Sequence, residues 1–240
     1  MNLSTPRVTG LRIESPSLAE LVAEKVGELI FGGEIRPNDR LIEEHLCQRL
    51  GVSRAPVREG LRILEGSGLL VRRARAGVSV APFTQDDVFE ILTFREGLER
   101  MAIHHLYRYT KHVQRVDTSR LDAAYERLAD AFGSDEDDFG RIHTSHDFHT
   151  ELVRLCGNTR IVASYAQMTM QVKLCMSMNL RKLRPVESPA DNIGRHWELR
   201  RAVLSGDPDE ALRAIGAHGH DAFLREFLDD VTADDNLYDR

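Results

Sequence analysis

Three arginines, Arg54, Arg58 and Arg62, recur every four residues and share one face of a predicted helix. Guanidinium groups neutralise phosphates and present planar forks to guanine edges, so such a face suits the major groove of duplex DNA. The same spacing is also typical of an ordinary solvated helix face. The neighbouring residues must therefore distinguish the two interpretations.

The neighbouring residues predict a helix-turn-helix followed by a basic β-hairpin. A shorter helix with an apolar side (Leu41, Ile42, Leu46 and Leu50) is expected to end at Gly51, whose missing Cβ permits a left-handed conformation. Ser53 is expected to cap the arginine helix, and Pro56 suits its first turn. Residues 69–71 and 78–80 are predicted strands, joined by a turn containing Arg72, Arg73, Arg75 and Gly77.

The segments Leu50-Gly51-Val52-Ser53-Arg54, Pro56-Val57-Arg58-Glu59 and Leu61-Arg62 with Leu64 resemble the GntR family of bacterial transcription regulators, and the match runs from about Ser17 to Pro82. This resemblance implies a winged helix-turn-helix of three helices and a small β-hairpin. The predicted DNA contacts are Ser53, Arg54, Arg58, Arg62, Arg72, Arg73, Arg75 and Gly77. For Ser53, capping its own helix is an equal alternative. Glu44 stands where some relatives place a base-contacting arginine, so no operator preference is carried over.

The charge distribution agrees with a nucleic-acid partner, although the formal net charge is -6. Residues 51–82 carry six arginines against two glutamates, and the excess acidic charge lies in the later part of the chain. No apolar run approaches the ~20 residues that span a bilayer, and the first residues lack the apolar centre of a secretory signal. The sequence therefore predicts a cytoplasmic protein without a membrane partner. Its three cysteines lack C-x-x-C spacing and are expected to be buried free thiols.

Beyond Pro82 the periodicity predicts only helices, near 85–109, 119–132, 139–155, 159–183, 189–204 and 208–230. The predicted fold class is mainly α: a winged helix-turn-helix over residues 16–82, followed by an all-α antiparallel bundle over 83–230. Residues 1–15 and 231–240 are predicted to be tails.

Three predicted bundle helices each carry a histidine on the inward face: His149, His196 and His218. Converging neutral imidazoles need a partner, and a divalent metal ion is the simplest one. His104, His105 and His112 lack this register and are interpreted as structural.

The second half also resembles the FCD effector-binding domain of the FadR branch of GntR regulators. The matching segments are Phe94-Arg95 with Glu99, Phe148-His149 through Gly157-Asn158, His196 with Gly206-Asp207, and Ala211 with His218. The resemblance implies that His149, His196 and His218 bind zinc, nickel or manganese. The family's fourth ligand, an Asp or Asn, corresponds to Ser145, and this departure leaves the fourth ligand open; His146 is a further candidate, whereas Asp147 faces another side. Arg95 matches an arginine near the effector, and a guanidinium beside a metal suits a small carboxylate.

The sequence thus predicts a ligand-responsive transcription regulator, a repressor, that binds a pseudo-palindromic operator as a homodimer and is not an enzyme. One alternative keeps DNA binding but gives the bundle a metal-free pocket for an acyl-CoA or another larger effector. A more distant alternative is a metal-dependent hydrolase using the three histidines. Against it, no carboxylate general base stands out in the sequence near them.

Overall fold

The structure, a computed structural model, describes residues 16–73, 77–109, 116–135, 137–183 and 188–218 of the 240-residue chain. The predicted tails, Arg75, and the predicted continuation of the last helix to residue 230 lie outside these ranges. Within them the protein is mainly helical, with a small antiparallel sheet near the N-terminus. The predicted fold class is confirmed.

The N-terminal part contains helices α1 (Leu18–Phe31), α2 (Glu43–Leu50) and α3 (Arg54–Gly66) and strands β1 (Arg40–Leu41), β2 (Leu70–Arg73) and β3 (Gly77–Val80). Ser17 caps α1 in a reciprocal capping box with Glu20. Gly51 ends α2 with φ of 67°, in the left-handed region. Helices α1 and α3 pack so closely at Gly60 that a Cβ there would lie 2.8 Å from Val22 Cγ1. This packing presents the outer face of α3 to solvent.

One prediction for α2 is wrong, because the chain stays extended until Ile42. Leu41 does not lie on the helix but belongs to β1, where it pairs with Val78 of β3. Strand β1 completes a three-stranded sheet of order β1-β3-β2. Ile42 precedes the helix and is 45% exposed. The buried contact of α2 is therefore made by Leu46.

The second part contains helices α4 (Gln85–Tyr109), α5 (Ser119–Gly133), α6 (Asp138–Arg154), α7 (Thr159–Gln167), α8 (Thr169–Leu183), α9 (Pro189–Leu204) and α10 (Pro208–Gly216). The single helix predicted over 159–183 is wrong: it is divided at Met168, which has non-helical backbone angles (φ −95°, ψ 3°) and is buried. No glycine or proline marks the break, so an unbroken apolar pattern conceals it. Across the described ranges, none of the helices is both long and apolar enough to span a membrane.

The bundle core is built around fully buried side chains such as Phe148 and Tyr165. Cys156 and Cys175 are buried free thiols as predicted, whereas Cys47 is only half-buried.

The two parts of the molecule share buried apolar contacts. Leu174 of α8 belongs to the hydrophobic core of the N-terminal part and is only 2% exposed. Phe31 of α1 stacks on Phe139 of α6, with ring centroids 6.2 Å apart and planes 14° apart. Helices α6 and α8 therefore connect the bundle interior directly to the N-terminal domain.

Candidate functional sites

The outer face of α3 carries the three arginines that the sequence singled out, and all three are well exposed. Ser53 occupies the position before the helix, but its side chain makes no capping hydrogen bond, so the predicted cap is wrong in that respect. Arg72 and Arg73 lie on β2 at the entry to the hairpin turn, and both are exposed.

Gly77 opens β3 with φ of 84°, a conformation that favours glycine. A Cβ at Gly77 would lie 3.3 Å from the guanidinium of Arg40. The hairpin therefore depends on glycine at this position.

The arginines of this surface are paired with carboxylates that sequence reasoning missed. Arg54 Nη2 lies 2.6 Å from Glu44 Oε2, and Arg58 Nε lies 2.8 Å from Glu43 Oε2. Arg62 pairs with Glu59, and Arg72 with Glu65. The first two pairs join residues separated by 10 and 15 positions across the turn, so helical spacing could not predict them.

The three inward histidines come together inside the bundle. His149 lies on α6, His196 on α9 and His218 in the π-helical residues directly after α10, and each is at most 5% exposed. Their nearest ring nitrogens all lie within 4.8 Å of one another. The Nε2 atoms of His149 and His218 are 3.2 Å apart. Two ligands of a tetrahedral ion at Zn–N distances of ~2.0–2.1 Å would be about 3.3 Å apart, so the donor set fits a divalent metal.

The protonation states of these imidazoles also suit a metal. Burial lowers the pKa of His149 and His218 well below the ordinary value, and it lowers that of His196 to about 3. All three rings are therefore neutral near neutral pH. Nδ1 of His196 donates to the carbonyl of Asn192 at 2.8 Å. Its Nε2 consequently carries a lone pair, and this atom is buried without a hydrogen-bond partner among the described residues.

A buried carboxylate lies on the far side of the His149 ring, although no carboxylate at a suitable spacing stood out in the sequence. Oε1 of Glu99, on α4, is 3.1 Å from His149 Nδ1. The same oxygen accepts hydrogen bonds from Arg95 Nε at 3.0 Å and from the Tyr165 hydroxyl at 2.9 Å. Burial raises the pKa of Tyr165 well above its usual value, so this hydroxyl keeps its proton. The separation between Glu99 and His149 is an ionic-distance contact, because His149 Nδ1 makes no hydrogen bond among the described residues. The contact nevertheless places a negative charge behind the ring, whose Nε2 faces His218.

Arg95, predicted to contact an effector, is 6% exposed and paired with Glu99 beside this centre. Ser145 is buried one turn before His149 on α6. Asp147 is turned towards His143, with 3.5 Å between them, and does not join the histidine group. His146 is buried but bonds to Thr150 and likewise lies outside the group. His105, interpreted as structural, lies with Nδ1 3.0 Å from the Cys156 carbonyl oxygen.

Comparisons with known proteins agree with both halves of this description. Residues 18–80 match the family described as "Bacterial regulatory proteins, gntR family", and residues 90–221 match the FCD domain. The chain therefore belongs to the GntR family of bacterial transcription regulators and carries an FCD domain.

Among its relatives is "Uncharacterized HTH-type transcriptional regulator YdhC" of Bacillus subtilis (strain 168), 29% identical over 81% of this chain and 84% of that protein. Another is "Probable D-xylose utilization operon transcriptional repressor" of Paenarthrobacter nicotinovorans, 27% identical over 91% of this chain and 90% of that protein. A GntR regulator structure from Rhodococcus sp. RHA1 has the same fold, with a TM-score of 0.71, 24% identity, and coverage of 89% of this chain and 99% of that one.

Proposed function

We propose that the protein is a ligand-responsive repressor of the FadR branch, in which residues 16–82 bind a pseudo-palindromic operator and residues 83–230 bind the effector. The observation that carries this proposal is the exposed face of Arg54, Arg58 and Arg62 beside the basic hairpin. Such a face can enter the major groove while the hairpin and Ser53 contact the backbone. The likeness to a D-xylose operon repressor favours repression.

A homodimer would place two such faces on successive turns of the duplex. Helix α4 supports this part of the proposal, because it exposes two large apolar side chains on one side. Phe94 is 57% exposed and Met101, seven residues later, is 54% exposed. Seven residues are two helical turns, so both belong to one stripe that a second copy could cover.

The same proposal assigns His149, His196 and His218 as ligands of a divalent cation, zinc being the simplest choice for three imidazoles. When bound, the ion would supply a positive coordination position for a carboxylate effector. Arg95 pairs with Glu99, which lies next to His149, so the Arg95 guanidinium is close enough to the histidines to help hold the carboxylate of the effector. The effector would then change how the two DNA-binding domains are held, a coupling of typically ~1–3 kcal/mol.

The DNA-binding half is tested with the operator that the full chain enriches from a random duplex library. Arg54→Ala and Arg58→Ala should each weaken operator binding by about 1–3 kcal/mol, because each removes one guanine-reading fork. Arg49→Ala is the matched control, since Arg49 is an exposed, glutamate-paired arginine on α2. The variant that combines Arg54→Ala with Arg58→Ala is measured by fluorescence anisotropy at modest salt. Undiminished operator affinity in this double variant contradicts the proposal.

The metal-binding half is tested by elemental analysis and zinc titration of the purified chain. His149→Ala should lose the metal and keep operator binding, whereas His104→Ala, an exposed site on α4, should keep both. Absence of metal above trace, together with thermal stability that added zinc does not change, would favour the metal-free bundle with a larger effector such as an acyl-CoA.

A further inference from the structure

Two arginines at the start of α3, the proposed DNA-recognition helix, are bound to glutamates of the preceding helix α2. Glu43 and Glu44 form the first turn of α2, and they meet Arg58 and Arg54 across the helix-turn-helix at 2.8 and 2.6 Å. All four side chains remain accessible, from 31% for Glu43 to 64% for Arg54. A DNA backbone approaching α3 must therefore compete with carboxylates that already occupy both guanidinium groups.

The two bonds use different atoms of the guanidinium. Glu43 bonds to Nε of Arg58, so the two terminal Nη groups of Arg58 stay available as a fork. Glu44 bonds to Nη2 of Arg54, and therefore occupies one of the two terminal nitrogens that would contact a guanine. The first arrangement orients a guanine-reading edge, and the second must open before Arg54 can use both Nη groups.

We propose that Glu43 and Glu44 are specificity-determining residues that suppress binding to DNA of arbitrary sequence. This inference rests on the proposed DNA contacts of Arg54 and Arg58. A phosphate that binds either arginine only replaces one exposed ionic partner, the glutamate, by another. Because exposed ion pairs are weak, this exchange adds little binding free energy. A guanine edge offers two acceptors in a fixed geometry, which a single carboxylate oxygen does not match. The glutamates therefore reduce the binding free energy from phosphate contacts more than the binding free energy from base contacts.

A simpler role must be separated from this one. Carboxylates in the first turn of a helix favour that helix through its dipole, and Glu43 and Glu44 stand in the first turn of α2. That role would change the stability of α2 without changing how DNA affinity depends on salt or sequence. The salt slope and the specificity ratio are therefore the discriminating measurements.

The test uses the full chain with three variants: Glu43→Gln, Glu44→Gln and, as control, Glu34→Gln. Glu34 pairs with Arg49 at 2.6 Å, so the control makes the same change in charge and frees an arginine outside the recognition helix. Binding is measured against a duplex of arbitrary sequence and against the duplex that the unmodified chain enriches from a random library, at several salt concentrations. Thermal melting verifies that each variant is folded.

Glu43→Gln and Glu44→Gln should each strengthen binding to the arbitrary duplex about two- to fivefold, which corresponds to the strength of an exposed ion pair. Affinity for the enriched duplex should rise less, so the ratio of the two affinities falls. The plot of log affinity against log salt for the arbitrary duplex should steepen by up to about 0.9 for each freed arginine. Glu34→Gln should leave the ratio unchanged.

Two results would overturn the inference. If Glu43→Gln and Glu44→Gln match Glu34→Gln in ratio and salt slope, the glutamates do not determine specificity, although the proposed function stands. If the unmodified chain enriches no sequence, or if Arg54→Ala and Arg58→Ala bind the enriched duplex undiminished, the proposed function fails and the inference fails with it.

Discussion

The DNA-binding domain and the helical bundle use the same kind of charged pair in opposite surroundings. In the pair of Arg54 and Glu44, the side chains are 64% and 57% exposed. In the pair of Arg95 and Glu99, they are 7% and 3% exposed. Water and ions screen the first pair, so an incoming anion can replace the carboxylate of Glu44 at little cost. In the second pair, neither charge can lose its partner without being left in a poorly solvating interior.

This difference shows how one chain can combine an exchangeable surface with a fixed centre. The surface arginines can leave their glutamates because solvent compensates for the loss. Glu99 cannot leave Arg95 and Tyr165 in the same way, and it lies 3.1 Å from a nitrogen of His149. The histidine centre is therefore held in place before any ligand arrives.

Acid should unfold the metal-free bundle before it unfolds the DNA-binding domain. Burial lowers the pKa values of His149, His196 and His218 below the ordinary 6.5. Below pH 6.5 the unfolded chain therefore binds more protons than the folded one, and stability falls as pH falls. Between pH 6.5 and 5 each imidazole therefore lowers the free energy of unfolding by less than about 2 kcal/mol, and the three together lower it by up to about 5 kcal/mol.

The fluorescence of Trp197, the single tryptophan and a residue of α9, reports unfolding of the bundle alone. By contrast, residues 16–82 contain one histidine, His45, which is exposed. His149→Gln should reduce the acid sensitivity, because one buried imidazole no longer takes up a proton on unfolding. A bundle equally stable to urea at pH 7 and pH 5 would contradict the assignment of neutral, buried rings.

Breaking the buried pair should cost far more stability than breaking the exposed one. Arg95→Ala leaves Glu99 buried without its cation, so the free energy of unfolding should fall by about 3–5 kcal/mol. Arg54→Ala should change it by less than about 1 kcal/mol. Urea titrations of both variants measure the difference, and equal losses would remove the contrast between the two regions.

The carboxylate behind His149 should control metal affinity without touching the metal. Glu99→Gln keeps the size of the side chain but removes the negative charge 3.1 Å from His149 Nδ1, so zinc affinity should fall about 10- to 100-fold. Glu96→Gln is the matched control, because Glu96 pairs with Arg100 on the same helix at 2.6 Å. Competition with a chelator measures both affinities. An unchanged affinity in Glu99→Gln would show that the metal site does not depend on the charge behind His149.

Features fixed by neighbouring residues could be predicted from the sequence. The left-handed Gly51 that ends α2 depends on a few adjacent positions, and it occurs as predicted. Strand β1 could not be predicted, because two residues carry no periodicity and pair only with the distant β3. The break at Met168 was concealed for a related reason, since only packing against other helices interrupts the pattern there.

The same distinction applies to the candidate sites. Helical register placed His149, His196 and His218 on inward faces, and their meeting within 4.8 Å agrees with that register. The partners of the functional side chains were missed, because Glu99 precedes His149 by 50 residues and Glu43 meets Arg58 across a turn. Such partners have no sequence spacing to reveal them, and only the tertiary arrangement brings them into contact.

Leu174 of α8 is buried in the hydrophobic core of the DNA-binding domain. A rotation of one domain against the other must withdraw this side chain, and exposing a buried leucine costs about 1.5–3 kcal/mol. Small displacements are therefore resisted until that threshold is exceeded. As ligand concentration rises, the relative orientation of the two domains should therefore change cooperatively rather than gradually. A smaller residue at position 174 should make that change less cooperative.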